Sequence, residues 1–465
     1  MRRKYSHRPG ASMFMSKRFG SHVLRRIPLK RSLSGYEMEF CLIDGNGDVS
    51  NRSDEILAAC RKMLKNFPIK KEVARNMVEV TSLPHSRIKK TGLGLMKSIG
   101  TLSDVCEKQG LMIMPLGTYP GTFREDMRES VRYAYSAAVL GRSKYEKYYP
   151  RCFGFHYHYT LPRGVFDRRA MFPKKPSFSR IKNTMIDSYN LLIAADPALT
   201  TFTQSSPFSG GKYYARDTRM LFWRGGKKLK FNGAFNNFQM LGGLPPYKQT
   251  LSDLISTLRR KDAKFRALLE KSGAPQSFIR NKKTLDFIWN PVKMNKIGTI
   301  EQRGMDMNHP EICIAVSVML KFMLRAVQQD FYHVIPTDLG VDEPFKLEGN
   351  VILIPPQSHV RKRLQYLSAY EGLSNREMRS YCSRFYRTAR RLVYEEYVPL
   401  LRPVKSMLDD GMTVSDKIVK YARKRGFSGS SHLPSEVSRE IALSHSMRMN
   451  KRLDRLKSML EESLI

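Results

Sequence analysis

The stretch KIGTIEQRGMDMN, residues 296–308, carries a carboxylate and a guanidinium two positions apart, at Glu301 and Arg303. Charged and uncharged residues alternate here, which predicts a β-strand with both charged side chains on one face and a turn at Asp306. A charged strand face is either solvent-exposed or the lining of a polar cavity, and exposure is the commoner case. Three further stretches favour the cavity.

Two of these stretches are strands that carry glutamates on one face. SGYEMEFCLID (34–44) alternates Glu37 and Glu39 with apolar residues, and EVARNMVEVTS (72–82) holds Glu79 in an otherwise apolar run. A buried carboxylate needs a partner, so Glu79 is the most informative of the three glutamates. Together the strands predict a sheet whose inner face is lined by carboxylates.

The third stretch supplies imidazoles, since FGFHYHYTLP (153–162) predicts a strand with His156 and His158 on one face. Clustered carboxylates with one imidazole suit hard divalent cations that bridge nucleotide phosphates, namely Mg²⁺ or Mn²⁺. For His158, a supporting or packing role is as well founded as ligation. An arginine beside such a cluster suits a transferring phosphoryl group or a substrate carboxylate.

The segments between these strands read as amphipathic or apolar helices. The sequence predicts helices over 54–67, 93–110, 122–150, 181–195, 250–272 and 311–330. Residues 111–121 predict a buried strand that runs into a Gly/Pro loop. The alternation of strands and helices predicts an α+β fold, in which helices pack outside a sheet with a charged inner face.

Composition limits the class of protein. The 465 residues include 81 Lys and Arg against 42 Asp and Glu, a formal net charge of +39, which attracts nucleic acid, other polyanions and small anionic substrates. The most apolar helix candidate, 312–327, is interrupted by Lys321 and Arg325, so it predicts a core helix rather than a membrane span. Six scattered cysteines without a CxxC pair fit a reducing compartment, and we expect a cytoplasmic protein.

The order of the motifs resembles a known family. The motifs are ExE at 37–39, a glutamate in an apolar strand at 79, FGxHxH at 153–158, SSP…RDTR at 205–219 and GTxExR at 298–303. This set resembles the glutamate–cysteine ligase and carboxylate–amine ligase superfamily across residues 34–330. The resemblance implies a glutamine-synthetase-like fold, in which a curved antiparallel sheet is lined by metal-binding carboxylates and backed by helices.

The resemblance also implies an activity, the ATP-dependent ligation of a carboxylate to an amine through an acyl phosphate, with Mg²⁺ or Mn²⁺. Its default substrates are glutamate and cysteine or another amine. Arg303 and Glu301 are the implied catalytic residues, with Arg303 stabilising the phosphoryl group, and Thr118 and Tyr119 of the GTYPG loop would help to hold the amino-acid substrate. The implied metal ligands are Glu37, Glu39, Glu79, His156 and Glu301, and the implied partner of the substrate carboxylate is Arg219 or Arg224.

Composition divides the chain into three parts. Residues 1–34 hold ten Lys or Arg and no acid, which predicts a disordered basic arm, 35–357 form the ligase-like catalytic part, and 358–465 form a basic helical extension. The basic ends keep a second hypothesis open. It is a ligase-like scaffold that binds nucleic acid or another polyanion, or a ligase whose acceptor is a large anionic molecule.

Overall fold

The strand at residues 34–44 is the centre of the main sheet. The computed structural model describes residues 32–63, 68–177, 179–429 and 431–462. Within them the strands are β1 (Ser34–Asp44), β2 (Ile69–Lys71), β3 (Met77–Thr81), β4 (Leu111–Met114), β5 (Gly154–Thr160), β6 (Phe166–Asp167), β7 (Phe172–Pro173), β8 (Phe208–Ser209), β9 (Lys212–Tyr213), β10 (Val292–Asn295), β11 (Thr299–Asp306), β12 (His333–Pro336), β13 (Leu347–Glu348) and β14 (Val351–Ile354). The main sheet has the order β10–β11–β5–β1–β3–β2, and β4 also pairs with β1.

Helices make up most of the remaining chain. They are α1 (Ser53–Met63), α2 (Ile88–Glu107), α3 (Val131–Leu140), α4 (Arg142–Tyr148), α5 (Arg180–Thr203), α6 (Thr218–Trp223), α7 (Gln239–Gly242), α8 (Leu251–Lys271), α9 (Gln276–Asn281), α10 (Pro310–Gln329), α11 (Leu339–Asp342), α12 (Gln357–His359), α13 (Gln365–Tyr370), α14 (Arg376–Leu392), α15 (Arg402–Asp410), α16 (Val414–Lys424) and α17 (Ser435–Glu462). None of the described helices combines the length and apolar character needed to cross a membrane.

The register of the main sheet puts the predicted charged residues on one face. All pairings in this sheet are antiparallel, and residues directly opposite each other in such a pair share a face. The opposing pairs are Glu37 with His156, Glu39 with Glu79, and Glu301 with His158.

The other face of the sheet is apolar and packs against helices. Its fully buried side chains include Met38, Phe40, Val80 and Phe155. α5 contacts β10 and β11, α10 contacts β5, and α2 contacts β1, β3 and β4. The structure therefore confirms the predicted α+β fold, with a carboxylate-lined sheet face and helices behind it.

The predicted core helix is also confirmed as α10, which is buried along nearly its whole length. Its Lys321 is accommodated because the ammonium group donates a hydrogen bond to the Ser86 carbonyl. Burial lowers the pKa of Lys321 to about 8.

The strand predicted over 72–82 is confirmed only as β3, Met77–Thr81, because residues 72–76 form the turn of a hairpin. β2 pairs with β3 and places Lys70 opposite Glu79. The residues between β2 and β3 form backbone hydrogen bonds outside the sheet. The Arg75 amide donates to the Asp126 carbonyl at 2.8 Å, and the Arg128 amide donates to the Val73 carbonyl at 2.9 Å. Glu72 consequently lies in the turn rather than on a strand.

Three predicted helices have different bounds. The helix predicted over 93–110 is α2, which begins at Ile88 and ends at Glu107. The region 122–150 contains α3 and α4, which separate at Gly141, where φ is 94°. The helix predicted to end at 195 continues through Pro197 to Thr203. Proline removes one helical hydrogen bond, and close by the Tyr381 hydroxyl donates to the Ala194 carbonyl at 2.5 Å. The predicted end of the first helix, 64–67, lies outside the described residues.

The basic C-terminal helices pack onto the body of the protein. α17 contacts α2, α10 and β4, and α14 contacts α5 and α10. By its internal contacts the chain from Ser32 onward forms one compact unit. The functional division at residue 358 stays a prediction, and residues 1–31 of the predicted arm lie outside the described residues.

Candidate active site

The charged sheet face assembles a first group of possible metal ligands from three strands. Ligand atoms of Glu37, His156 and Glu301 all lie within 4.8 Å of one another. His156 Nδ1 is 3.1 Å from a Glu37 carboxylate oxygen, and His156 Nε2 is 3.7 Å from Glu39. The Nε2 atom is buried and has no hydrogen-bond partner among the described residues. A buried imidazole nitrogen facing carboxylates is a suitable donor for a cation.

A second group lies next to the first. Glu39, Glu72 and Glu79 bring their carboxylates within 4.8 Å of one another, and a hydrogen bond joins Glu79 to Glu72. Sequence reasoning missed Glu72 because it treated 72–82 as one strand. Two features of the sequence indicated the hairpin that brings Glu72 to Glu79. The carboxylate of Glu79 needed a partner, and the two lysines at 70 and 71 are typical of a short edge strand before a turn.

Two lysines that the sequence did not single out balance part of this negative charge. Lys70 Nζ is 2.7 Å from Glu79 and 3.4 Å from Glu37. Lys293 Nζ is 3.4 Å from Glu301. Lys70 is 54% exposed, so it can leave the carboxylates when another cation competes for them, whereas Lys293 is 10% exposed and is fixed beside Glu301.

The glutamates differ in how readily they take up a proton. Burial raises the pKa of Glu301, but Lys293, Arg303 and His158 outweigh it and lower this pKa to about 2. Burial and the neighbouring Glu37 raise the pKa of Glu79, and Lys70 opposes them. Glu301 is therefore ionised at neutral pH, whereas Glu79 takes up a proton more readily than an ordinary glutamate.

A bulge in β11 orients Arg303. The register of β11 against β5 shifts between Gln302 and Met305, and the Arg303 amide donates to the Pro291 carbonyl at 2.8 Å. Bulges re-aim side chains at functional sites. Arg303 places one guanidinium nitrogen 3.4 Å from Glu301, and its side chain is 21% exposed.

The structure distinguishes between the two arginines predicted for the substrate carboxylate. Arg224 is fully engaged in the interior: it binds both oxygens of Asp196 at 2.6 and 2.9 Å and Gln365 at 3.0 Å. Arg219 makes only long contacts, of 3.4 and 3.5 Å, with the Arg303 carbonyl, and its buried Nε has no hydrogen-bond partner among the described residues. Arg219, Arg303 and Trp223 line one cleft.

The side chains of Thr118 and Tyr119 have structural partners. The Thr118 hydroxyl donates to the Phe208 carbonyl at 2.6 Å, and the Tyr119 hydroxyl donates to the Gly47 carbonyl at 2.9 Å. Both residues are almost fully buried. Their hydroxyls are thus occupied, which leaves the shape of the loop as its contribution to a site.

Asp306, predicted as a turn residue, is instead the fully buried last residue of β11. It accepts from the Ser205 amide at 3.0 Å, and its carboxyl lies near that of Asp217 and near the Arg219 guanidinium. Burial raises the pKa of both carboxyls.

Comparison with known proteins identifies related sequences. The family model of Glutamate-cysteine ligase family 2 (GCS2) matches residues 33–440. The putative glutamate–cysteine ligase 2 of Clavibacter michiganensis subsp. michiganensis is 26% identical over 191 residues, 40% of this chain and 45% of that protein. Its counterpart in Clavibacter sepedonicus is 25% identical over the same length. The match thus spans less than half the length of these curated relatives.

Two solved structures share the fold. Glutamate–cysteine ligase from Francisella tularensis, in complex with AMP, has a TM-score of 0.54 and 15% identity, and the match covers 93% of each chain. A bifunctional glutathione synthetase from Pasteurella multocida has a TM-score of 0.54 and 11% identity over 91% of this chain and 53% of that one. Since the family model matches well over half of the sequence, the chain belongs to glutamate–cysteine ligase family 2.

Proposed function

We propose that this protein is an ATP- and Mg²⁺-dependent ligase that joins the γ-carboxylate of glutamate to cysteine or another amine. The observation that carries the proposal is the pair of adjoining carboxylate groups on one sheet face, with Arg303 beside them. In the reaction, the substrate carboxylate attacks the γ-phosphate of ATP and ADP leaves. The amine then attacks the acyl phosphate, loses a proton, and displaces inorganic phosphate to leave an amide.

The donor set fits divalent cations that prefer oxygen ligands. The first group would hold metal through Glu37, Glu301 and the unpartnered Nε2 of His156, and the second through Glu39, Glu72 and Glu79. Bound Mg²⁺ or Mn²⁺ would neutralise phosphate charge and orient the transferring group. Lys70 is exposed and can move away from the carboxylates when such a cation binds, whereas Lys293 remains as a fixed positive charge beside Glu301.

Arg303 can offset the repulsion between the two reacting anions, the substrate carboxylate and the phosphate. A carboxylate and a phosphate at ~4 Å repel by about 4 kcal/mol at the effective dielectric of a partly exposed site, which corresponds to about a thousandfold in rate. Arg303 presents a guanidinium that the bulge aims beside Glu301 and that is partly exposed to an incoming substrate. It can stabilise the phosphoryl oxygens as charge moves between the attacking and leaving oxygens.

Arg219 is our candidate for the α-carboxylate of the amino-acid substrate. It is buried, its strong donor positions are not filled by a carboxylate, and it shares a cleft with Arg303. We favour Arg219 over Arg224 because Asp196 and Gln365 occupy the guanidinium of Arg224. A buried guanidinium with free donor capacity binds a carboxylate strongly and in a defined orientation.

The close approach of Arg219 to Gly154 offers a specific test. A Cβ at Gly154 would overlap the Arg219 guanidinium and would lie 3.0 Å from His156 Nε2. We expect Gly154→Ala to displace Arg219 and to raise KM for glutamate at least tenfold, with a smaller change in KM for ATP. Steady-state kinetics with each substrate varied in turn measures both effects.

Gly100→Ala is the matched control, because a Cβ at this helical glycine meets nothing within 4 Å. It should leave both KM values unchanged. Equal increases in the two KM values for Gly154→Ala, or no increase, would remove Arg219 from the glutamate site.

The substrate assignment rests on the relatives. The Clavibacter relatives bear the name glutamate–cysteine ligase, and the Francisella enzyme was solved with AMP. These names support glutamate, cysteine and an adenine nucleotide as the first substrates to test. The same names are those of ligases and synthetases and mention no nucleic acid, so the comparisons give the polyanion-binding hypothesis no support.

The deciding experiment measures phosphate release from ATP with Mg²⁺ and glutamate, first alone, then with cysteine, and then with a panel of other amines. Release that requires both glutamate and an amine is the expected result, and EDTA should abolish it until Mg²⁺ or Mn²⁺ is restored. Hydroxylamine should trap the acyl phosphate as γ-glutamyl hydroxamate. A folded protein that releases phosphate with none of these pairs would contradict the proposal.

A further inference from the structure

A cavity of about 750 Å³ lies between the C-terminal helices and α10. None of the candidate metal ligands lines it. Its apolar wall includes Ile312 of α10, Met407 of α15, Ile418 of α16 and Leu456 of α17. We refer to it as the C-terminal cavity. Its volume falls within the range of pockets that bind small molecules of cofactor size, ~300–1,000 Å³.

The charge around the C-terminal cavity is strongly one-sided. A single carboxylate, Glu311, lines it, and it is paired with Arg452 at 2.5 Å. Lys417 has Asp410 at 3.9 Å as a distant partner. The lining cations are Arg402, Lys417, Arg448, Arg452 and Arg455.

Three of these cations lack a counter-charge. Arg402, Arg448 and Arg455 are exposed and form no ion pair with any other residue in the described part of the chain. Like charges held around one cavity repel each other, and a bound anion removes this repulsion. The arrangement is therefore suited to an anion with several charges rather than one.

A neutral histidine pair adds polar atoms to the same cavity. His309 Nε2 lies 2.9 Å from His445 Nδ1, and both residues line the cavity. Burial, with Arg448 and Arg452 nearby, lowers the pKa of His445 to about 3, so the pair adds no positive charge at neutral pH. The fully buried His309 Nδ1 has no hydrogen-bond partner among the described residues. The cavity therefore presents polar, cationic and apolar surface together.

We propose that the C-terminal cavity binds an organic polyphosphate of nucleotide size, at a site separate from the catalytic sheet. Arginine forks bind phosphate oxygens in pairs, and three unpaired arginines suit a diphosphate or triphosphate. The apolar wall and Tyr421 suit the organic body of the ligand. A free amino acid carries too little negative charge to balance these cations and fills only a small part of the volume.

The test uses the full-length protein, with ADP as the probe in isothermal titration calorimetry. EDTA is present throughout, because the proposed catalytic site needs a divalent cation to hold nucleotide. The test variant is Arg448→Ala with Arg455→Ala. Its matched control is Lys451→Ala with Lys457→Ala, which removes the same charge from exposed positions of α17 that do not line the cavity.

We expect saturable ADP binding that the arginine variant weakens at least tenfold and the lysine variant changes less than twofold. Glu301→Gln should leave this binding unchanged, since Glu301 does not line the cavity. Inorganic pyrophosphate should bind at least tenfold more weakly than ADP. The proposal is overturned by absence of saturable ADP binding, by equal weakening in both double variants, by loss in Glu301→Gln, or by pyrophosphate binding as tightly as ADP.

Discussion

Glu301→Gln is expected to lower kcat/KM by at least a thousandfold while the protein stays folded. Glu301 is 1% exposed, belongs to the first ligand group and contacts both Lys293 and Arg303. Glutamine keeps the size of the side chain but loses the charge that binds a cation and balances Lys293. Each tenfold in rate corresponds to ~1.4 kcal/mol of transition-state stabilisation, so the predicted effect is about 4 kcal/mol.

The measurement is ligation rate at saturating and at low Mg²⁺, with circular dichroism and a melting curve to verify folding. The matched control is Glu348→Gln, which makes the same chemical change at a half-exposed position on β13. It should retain the wild-type rate. A Glu301→Gln variant that keeps near wild-type activity would remove Glu301 from the active site.

Asp196→Ala is expected to lower the free energy of unfolding by about 3–5 kcal/mol, because it leaves Arg224 charged, buried and unpaired. Asp196 is fully buried, accepts two hydrogen bonds from Arg224 at 2.6 and 2.9 Å, and accepts another from Gln302 at 2.9 Å. The effect is a large part of the stability of a typical domain, about 5–15 kcal/mol. Denaturant unfolding of the purified variants measures it.

A second variant separates the buried charge from simple loss of contacts. Asp196→Ala combined with Arg224→Met removes the unpaired charge and should recover part of the lost stability. Glu395→Ala is the surface comparison, because it breaks the ion pair with Arg390 at a position where Glu395 is 82% exposed. It should lower the free energy of unfolding by less than ~1 kcal/mol. If Asp196→Ala costs no more than Glu395→Ala, the buried pair does not stabilise the fold in the way described.

The same pair also positions the active site. Gly304 lies in the β11 bulge, and a Cβ there would overlap Arg224 and lie 2.7 Å from an Asp196 oxygen. The buried ion pair thus supports the backbone that carries Arg303. Arg224, whose guanidinium is held by Asp196 and Gln365, thus supports the candidate active site through the backbone of β11.

Strand periodicity predicted which way the charged residues face, and the ordered set of motifs with its family resemblance favoured a cavity lining over an exposed surface. Glu37, Glu39 and Glu79 each interrupt an apolar alternation, and a strand places their side chains on one side of the sheet. The family resemblance implied that Glu37 and His156 serve one metal site, and the structure adds that they lie directly opposite each other on neighbouring strands. These residues were predictable because side chains two positions apart on a strand lie on the same side of the sheet.

The residues that were missed depend on turns and on distant partners. Glu72 and Lys70 face the site because the chain folds back after β2, and the backbone bonds to Asp126 and Arg128 that fix this turn come from another part of the sequence. Asp196 was overlooked because Pro197 predicted the end of the helix just before it. Tertiary packing carries α5 past this proline, so local propensity gave the wrong boundary.

The central place of β1 has a consequence for the order in which the molecule assembles. Glu39, Glu72 and Glu79 come from one short segment, whereas Glu37 and His156 are 119 residues apart and Glu301 arrives still later in synthesis. Closing such long loops is slow, because chain entropy is lost before the contacts form. The all-carboxylate half of the site therefore needs the chain only as far as Arg128, which helps to fix its turn, while the half that contains histidine must wait until β11 docks.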